Sequence, residues 1–371
     1  MLIELIKVAL GHQNNLNHIP TEDEWERTFH AARLQAVVGI CFTSIQKLPI
    51  EQQPPKDLYW KWLGVVTQIQ KQNELMDSRT AEVWQRLKDA GLDAAVLKGQ
   101  GIAQEYGELA PFRQSGDIDI WVLGGYQKVC EYVQQEAPTT DLAYHRFHFN
   151  VFKDTEVELH HRPTLMRNLL DDRKLARWYN SFGADNFVYL EKKGFAVPPS
   201  AFNRIFILTH IYRHFLFEGI GLRQVMDYYF VLKEDGRWKM DDGRWKKEDV
   251  RGKMEDGMEI LRSLRLLRFA KAMMWILHTQ LGLEEQFLIC GTDEKEGRFV
   301  LNEILTTGNF GQADQRYRYK HFQLIRQKLS HGAHLLLHYP SEVIWTPVWL
   351  VYHRYWKKVR KREIIRNYYF A

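Results

Sequence analysis

The chain has 371 residues, of which 45% are hydrophobic, 26% charged and 13% aromatic, a globular composition that excludes disordered, fibrous and disulfide-scaffold classes. The length suggests two or three domains, or one large domain with a helical extension. The formal net charge of +5 is concentrated near the end. Between His353 and Arg366 there are seven Lys or Arg against Glu363, so the remainder is close to neutral and charge alone does not make the chain a nucleic-acid binder.

Residues 1 to about 90 read as helical. Met1–Lys7 carries Glu4 and Lys7 where a signal peptide would stay apolar, so a short amphipathic helix and a cytoplasmic protein are expected. Thr21-Glu-Asp-Glu24 has the spacing of a capping box, with Trp25 and Phe29 following at helical intervals. Pro49, Pro54 and Pro55 break the chain before a second long helix, from about Lys56 to Ala90, lined by Leu63, Val66, Ile69 and Gln70 and bent somewhere along its run. The cysteines (Cys41, Cys130 and Cys290) form no CxxC pair and read as reduced thiols.

From Gly91 the texture changes. Asp93–Lys98 is a short apolar run closed by Gly99, which suits a buried strand, and Gln100–Gly116 reads as a loop with a short helix. Asp117–Val122 alternates polar and apolar, the pattern of a half-buried strand, and Tyr126–Gln135 resumes helical spacing. Tyr144–Phe152 and Glu156–His160 alternate on either side of Lys153-Asp-Thr155, which predicts a hairpin. Everything after Pro163 reads as helical, including Asn203–Phe217 and Met258–His278. A charged stretch near 233–257 contains an echo, Asp235–Lys239 recurring as Asp242–Lys246, and predicts an exposed hairpin or loop insertion. The longest apolar run, Val343–Tyr352, is ten residues and contains Pro347, against the roughly 20 that a membrane span needs. The basic tail reads as a solvated helix whose Tyr355 and Trp356 pack inward; nucleic-acid contact through it is the less favoured reading.

The chemistry concentrates on three acids. In a strand, residues i and i+2 share a face, so Asp117 and Asp119 present two carboxylates side by side, which repel unless a cation lies between them. Hard oxygen donors favour Mg²⁺, with Mn²⁺ as an alternative, and a third carboxylate on a neighbouring strand would complete a site for two ions. Glu158 is suitably placed for that role, although Glu156 shares its face and stays an alternative. Leu97-Lys-Gly-Gln-Gly101 puts small residues at a strand end where Lys98, Gly99 and Gln100 can meet phosphate oxygens. Arg113 and Gly116, just ahead of the acids, extend that candidate phosphate grip.

Leu97-Lys-Gly99, Tyr106, Arg113, Gly116-Asp-Ile-Asp-Ile-Trp-Val122 and Val157-Glu-Leu-His160 together resemble the uncharacterised nucleotidyltransferase family of the polymerase-beta-like superfamily. Leu208-Thr-His-Ile-Tyr-Arg-His214, with Arg223 and Asp227, matches the helical half of that family, and the likeness covers about residues 30–350. It implies an α+β fold, a small mixed-sheet core flanked by N-terminal helices and a larger C-terminal helical domain. The implied boundaries are 1–90, 91–165 and 166–371. It also implies Mg²⁺-dependent transfer of a nucleoside monophosphate from an NTP to an unidentified acceptor. Asp117, Asp119 and Glu158 would then be the metal ligands, with Glu158 also placed as general base. The superfamily's usual Gly-Ser or Gly-Gly after the first strand is replaced here by Lys98-Gly99-Gln100, so the phosphate grip must differ in detail.

Blander readings stand beside these. Lys98 is equally suited to a structural ion pair with the acids. His210 and His214, four apart, suit packing in the helical domain as well as substrate contact, and His160 adds a third candidate imidazole beside His145, His148 and His161. Arg223 and Asp227 are likewise candidate substrate contacts, and are also spaced for an intrahelical ion pair. A non-catalytic protein that keeps the nucleotidyltransferase shape and binds a nucleotide or a partner is the alternative to an enzyme.

Overall fold

Thr21 accepts a hydrogen bond from the Glu24 backbone while the Glu24 carboxylate accepts one from the Thr21 N–H, so the expected capping box starts the second helix. A computed structural model describes residues 1–241, 257–311 and 334–369, with the side chains of 234–241 and of 369 excepted. The N-terminal region comprises α1 (Leu2–Ala9), α2 (Glu22–Leu34), α3 (Val38–Ile45) and α4 (Lys56–Asp89). Helix α4 runs unbroken for 34 residues. Its first half buries Leu58, Trp62, Val66 and Ile69 in one apolar cluster and its second half buries Met76, Val83, Trp84 and Leu87 in another.

The second cluster is the floor of a four-stranded mixed sheet. Strands β1 (Ala94–Leu97), β2 (Ile118–Val122), β3 (Arg146–His148) and β4 (Val157–His160) lie in the order β1-β2-β4-β3. Strand β2 runs antiparallel to β1 and parallel to β4, and β3 pairs antiparallel with β4. Because side chains alternate, Val96, Ile118, Ile120, Val122, Phe147, Val157 and Leu159 all enter this floor, against the end of α4 and against α6 (Gly125–Glu136). The opposite face carries Asp119, Trp121, Glu158, His160, Arg146 and His148, and that face holds the polar site. The hairpin exists, although β3 is only three residues long and Tyr144 and Phe152 lie outside it.

The helical part contains α7 (Leu169–Tyr179), α8 (Ser200–Phe217), α9 (Leu222–Asp241), α10 (Leu267–Trp275), α11 (Glu294–Thr307) and α12 (Pro340–Ile364). It is not wholly helical. Strands β5 (Val188–Leu190) and β6 (Phe195–Val197) form a small hairpin turned by Gly194 at φ 75°, and Phe195, Ala196 and Val197 join the core beneath the sheet. The helix expected over Met258–His278 is interrupted ahead of α10, with Arg265 at φ 59°. The first copy of the echo, Asp235–Lys239, lies within α9 and not in a loop, and the second copy lies outside the described residues.

In the C-terminal helix Trp356 packs edge-on against Tyr126 and Tyr144, as expected, whereas Tyr355 is exposed. Among the described residues no helix is long and apolar enough to cross a membrane.

Candidate active site

Register brings the acids together. Asp119 of β2 is the direct partner of Glu158 on β4, and His148 of β3 is the partner of Glu158 on the other side. One step along, Trp121, His160 and Arg146 form the next row. Glu158, and not Glu156, therefore lies beside Asp119; Glu156 is exposed and pairs with His148 at 3.1 Å.

Asp119 and Glu158 are 1% and 2% exposed at their side chains, so each needs compensating charge. Lys98 Nζ lies 2.8 Å from Asp119 Oδ2, and His160 Nε2 lies 2.8 Å from Asp119 Oδ1. Arg146 Nη1 lies 2.6 Å from Glu158 Oε2, with His160 Nε2 at 3.5 Å from the same oxygen. Burial would raise the Asp119 carboxyl, but Lys98 and His160 hold it well below the usual carboxylate range. Burial, reinforced by the charge of Asp119, pushes Glu158 up against the opposing pull of His160 and Arg146. Burial disfavours a charged His160, yet the two carboxylates hold the imidazole above its ordinary value.

Asp117 is not part of the buried set. It precedes β2, is partly exposed, and is joined to the others through Lys98, whose Nζ is 3.3 Å from each of its carboxylate oxygens. Burial would lower the Lys98 ammonium, but Asp117 and Asp119 hold it above its ordinary value. Lys98 has φ 29° and Gly99 φ 43°, so two successive residues sit at positive φ where β1 turns into α5 (Lys98–Ala103). Gly101 is required by packing, because a Cβ there would lie 2.4 Å from the Val96 carbonyl oxygen.

These residues fit a divalent ion. One ligand atom each from Asp119, Glu158 and His160 lie within 4.8 Å of one another. His160 Nδ1 is 3.2 Å from the Pro163 carbonyl, which accepts only from an N–H, so a ring that keeps its Nδ1 proton would have Nε2 to offer an ion, whereas here Nε2 donates to Asp119. The fitting set thus includes an imidazole, while Asp117 stands at the rim.

A cleft opens beside Asp117. The sheet side contributes Lys98, Gly99, Gly116 and Asp117, and the facing wall contributes Ile207, His210 and Ile211 from α8, Arg223, Gln224 and Asp227 from α9, and Phe310. Arg223 Nη1 donates to the carbonyls of Gln114 (3.1 Å) and Ser115 (3.4 Å) and stands over Gly116, where a Cβ would be 3.4 Å away.

Arg223 and Asp227 do not form the intrahelical pair that their spacing suggests. Asp227 is engaged by Arg113, through Nε at 2.7 Å and Nη2 at 2.8 Å, and by the Tyr106 hydroxyl at 2.6 Å. Arg113 is therefore engaged in a buried ion pair while also lining the cleft. Burial would raise the Asp227 carboxyl, but Arg113 holds it down. The Gln100 side chain turns away from the cleft, donating to Asp77 of α4, which also accepts from Lys193 of the β5–β6 turn.

His210 and His214 pack with ring centroids 4.3 Å apart and planes tilted by 56°, and His214 Nδ1 is 2.6 Å from Glu218. Burial, then neighbouring His214 and Lys98, hold His210 well below its ordinary value. Burial would raise Glu218, but His214 and Arg213 hold it at about 2. Arg213 also reaches His145 Nε2 at 3.2 Å. The sequence reading singled out neither Arg146 nor the Arg213–Glu218 pair. Arg146 was accessible in principle, since it alternates with His148 on a strand whose face was already assigned.

Comparison with known proteins gives one match. The family described as "Uncharacterised nucleotidyltransferase" matches residues 21–280, well over half of the chain. No curated protein and no solved structure matches the chain. The matched segment contains every residue of the polar sheet face and of the α8 and α9 wall, and the chain belongs to the uncharacterised nucleotidyltransferase family.

Proposed function

We propose that the chain is a divalent-metal-dependent nucleotidyltransferase that moves a nucleoside monophosphate from an NTP to an acceptor hydroxyl. The observation that carries this reading is the in-register pair Asp119–Glu158, buried beside His160 and adjoining a cleft lined by Lys98, Gly99, Gly116 and Arg223. Asp119, Glu158 and His160 would hold a divalent ion, Mg²⁺ or Mn²⁺, with Asp117 contributing from the rim. Such an ion supplies charge neutralisation at the reacting phosphate and its leaving group.

The chain's own residues do the rest. Gly99 and Gly116 let the backbone approach the triphosphate, while Lys98 and Arg223 supply positive charge along it. The acceptor oxygen forms a bond to the α-phosphorus, the bond from that phosphorus to the bridging oxygen breaks, and pyrophosphate leaves. Glu158, whose burial raises its proton affinity, takes the acceptor proton through an intervening water, since its carboxylate is not among the residues lining the cleft. His210 lines the cleft and would contact the acceptor, with His214 packed against it. Arg113 and Asp227, paired with each other at the cleft wall and backed by Tyr106, position the Gly116–Asp117 loop.

The test is Asp117→Asn combined with Asp119→Asn, assayed with α-labelled NTPs and Mg²⁺ against a panel of alcohols, sugars, peptides, proteins and RNA ends. Transfer is expected to vanish while circular dichroism stays native. Undiminished transfer in the double variant would reject the mechanism.

A second reading has its own support: Lys98, Arg146 and His160 already compensate Asp117, Asp119 and Glu158 without any metal. On that reading the chain binds a nucleotide or partner and performs no transfer. Calorimetric NTP binding without pyrophosphate release across the same panel would favour it.

A further inference from the structure

We infer that Lys98 is an internal counter-ion which occupies the cation position between Asp117 and Asp119, so that a divalent ion enters only together with a nucleoside triphosphate. The inference rests on the metal-dependent reading above and adds an order of binding to it.

Three observations carry it. First, the ammonium is placed as a bridging cation would be, 2.8 Å from Asp119 Oδ2 and 3.3 Å from each oxygen of Asp117. Like charges that close together need something between them, and here the chain itself supplies it. Second, the local charges are largely compensated. Lys98 and Arg146 are paired with Asp117, Asp119 and Glu158, two fixed cations against three carboxylates, so a free metal ion meets a much weakened negative field with which to strip its water. Third, Lys98 has somewhere to go. It lines the same cleft as Arg223 and Gly116, and its flexible four-carbon stem lets the ammonium move while the backbone stays fixed at the strand end.

A triphosphate in that cleft offers the ammonium a new anionic partner. Lys98 then transfers from carboxylate to phosphate, the acids lose their internal counter-ion, and the ion that came with the nucleotide would take the vacated position. No bond is made or broken in this exchange; one cation replaces another. Its consequence is that the metal-free chain neither collects free divalent ions nor leaves two carboxylates in open repulsion.

The experiment measures Mn²⁺ binding to the full chain by electron paramagnetic resonance, with no nucleotide present, for the wild type, Lys98→Met and Lys98→Arg. Lys98→Met is expected to bind free Mn²⁺ at least about tenfold more tightly than the wild type, the least expected from removing a competing charge in direct contact with the ligands. Lys98→Arg should stay as weak as the wild type. Wild-type binding of free Mn²⁺ as tight as that of Lys98→Met would overturn the inference.

A second measurement needs no substitution, which matters if Lys98→Met folds poorly. The ammonium ¹⁵N signal of Lys98 in the wild type should be indifferent to Mg²⁺ alone and should shift when Mg²⁺ and an α,β-methylene NTP are added together. A shift with Mg²⁺ alone refutes the proposed order. If Mn²⁺ and its complex with the NTP analogue bind neither wild type nor variant, the metal-dependent function itself fails. If the metal–nucleotide complex binds both, and Lys98→Met gains nothing with free Mn²⁺, only the role given to Lys98 fails.

Discussion

Replacing Asp227 with alanine tests the argument that a buried ion pair ties the loop ahead of β2 to the helical wall. Tyr106, Arg113 and Asp227 are all buried, and the Asp227 carboxylate accepts three hydrogen bonds of 2.6, 2.7 and 2.8 Å. Removing one member of such a pair costs about 3–5 kcal/mol, because the partner is left charged in the interior. Here the cost belongs at the upper end of that range, since Arg223 stands nearby with the same sign and the Tyr106 hydroxyl also loses its acceptor. By contrast, replacing all three with apolar groups of similar shape (Tyr106→Phe, Arg113→Met, Asp227→Leu) removes the unpaired charge together with the attraction, and should cost clearly less than Asp227→Ala alone. Urea unfolding followed by tryptophan fluorescence measures both. Asp227→Ala within about 1 kcal/mol of the wild type would refute the reasoning, given the size expected for an uncompensated buried charge. A triple variant as damaged as the single one would do the same.

Three further outcomes follow from the same coordinates. Burial raises the Glu342 carboxyl from 4.5 to about 7 despite the Arg167 and Asn168 backbone N–H groups that it accepts. A carboxyl with a raised folded-state value gives stability that is whole below its unfolded value and lost as pH rises through the folded one. Stability should therefore fall by about 3 kcal/mol between pH 4.5 and about 7 on account of this group, and the fall should shrink in Glu342→Gln, as read from urea midpoints across that window. Gly101→Ala puts a Cβ 2.4 Å from a backbone oxygen, so it should cost about 1–3 kcal/mol of stability; a melting temperature equal to the wild type's would count against the packing at the β1–α5 turn. Removing residues 353–371 strips Trp356 and the buried Ile364 from the sheet floor, and exposing the surface they cover should cost roughly 2–4 kcal/mol. A truncated chain as stable as the full one would make the tail an appendage.

Much of this architecture was readable because its signals are local. Thr21 and Glu24 announce a helix start from three residues apart, and Ile118, Ile120 and Val122 announce a floor-facing strand edge by period two. Alternation put Asp119 and Glu158 on the site's face, but it put Glu156 there too, and only the β2–β4 register chooses between them. The misses have an equally plain cause. Strands β5 and β6 hold three residues each, too few for a period to register. Arg223 and Asp227 satisfy a local helix rule, yet the stronger partner of Asp227 is Arg113, 114 positions away, and no spacing reveals that. His160 was legible as a polar residue on the site's face but not as the group between the two acids, because that depends on how its ring is held by the Pro163 carbonyl. Helix α9 runs through Asp235–Lys239, where glycine and repeated charge had suggested a loop.

Helix α4 has a consequence for motion. At 1.5 Å per residue, its 34 residues make a rod about 50 Å long whose two halves are embedded in different apolar clusters. Such a rod transmits rotation and resists folding at its middle, so the floor of the sheet and the N-terminal helices turn as one piece. Helices α8 and α9, which wall the cleft, bury Ile207, Ile211, Val225 and Met226 in the same apolar cluster as the first half of that rod, so the wall is anchored to it as well.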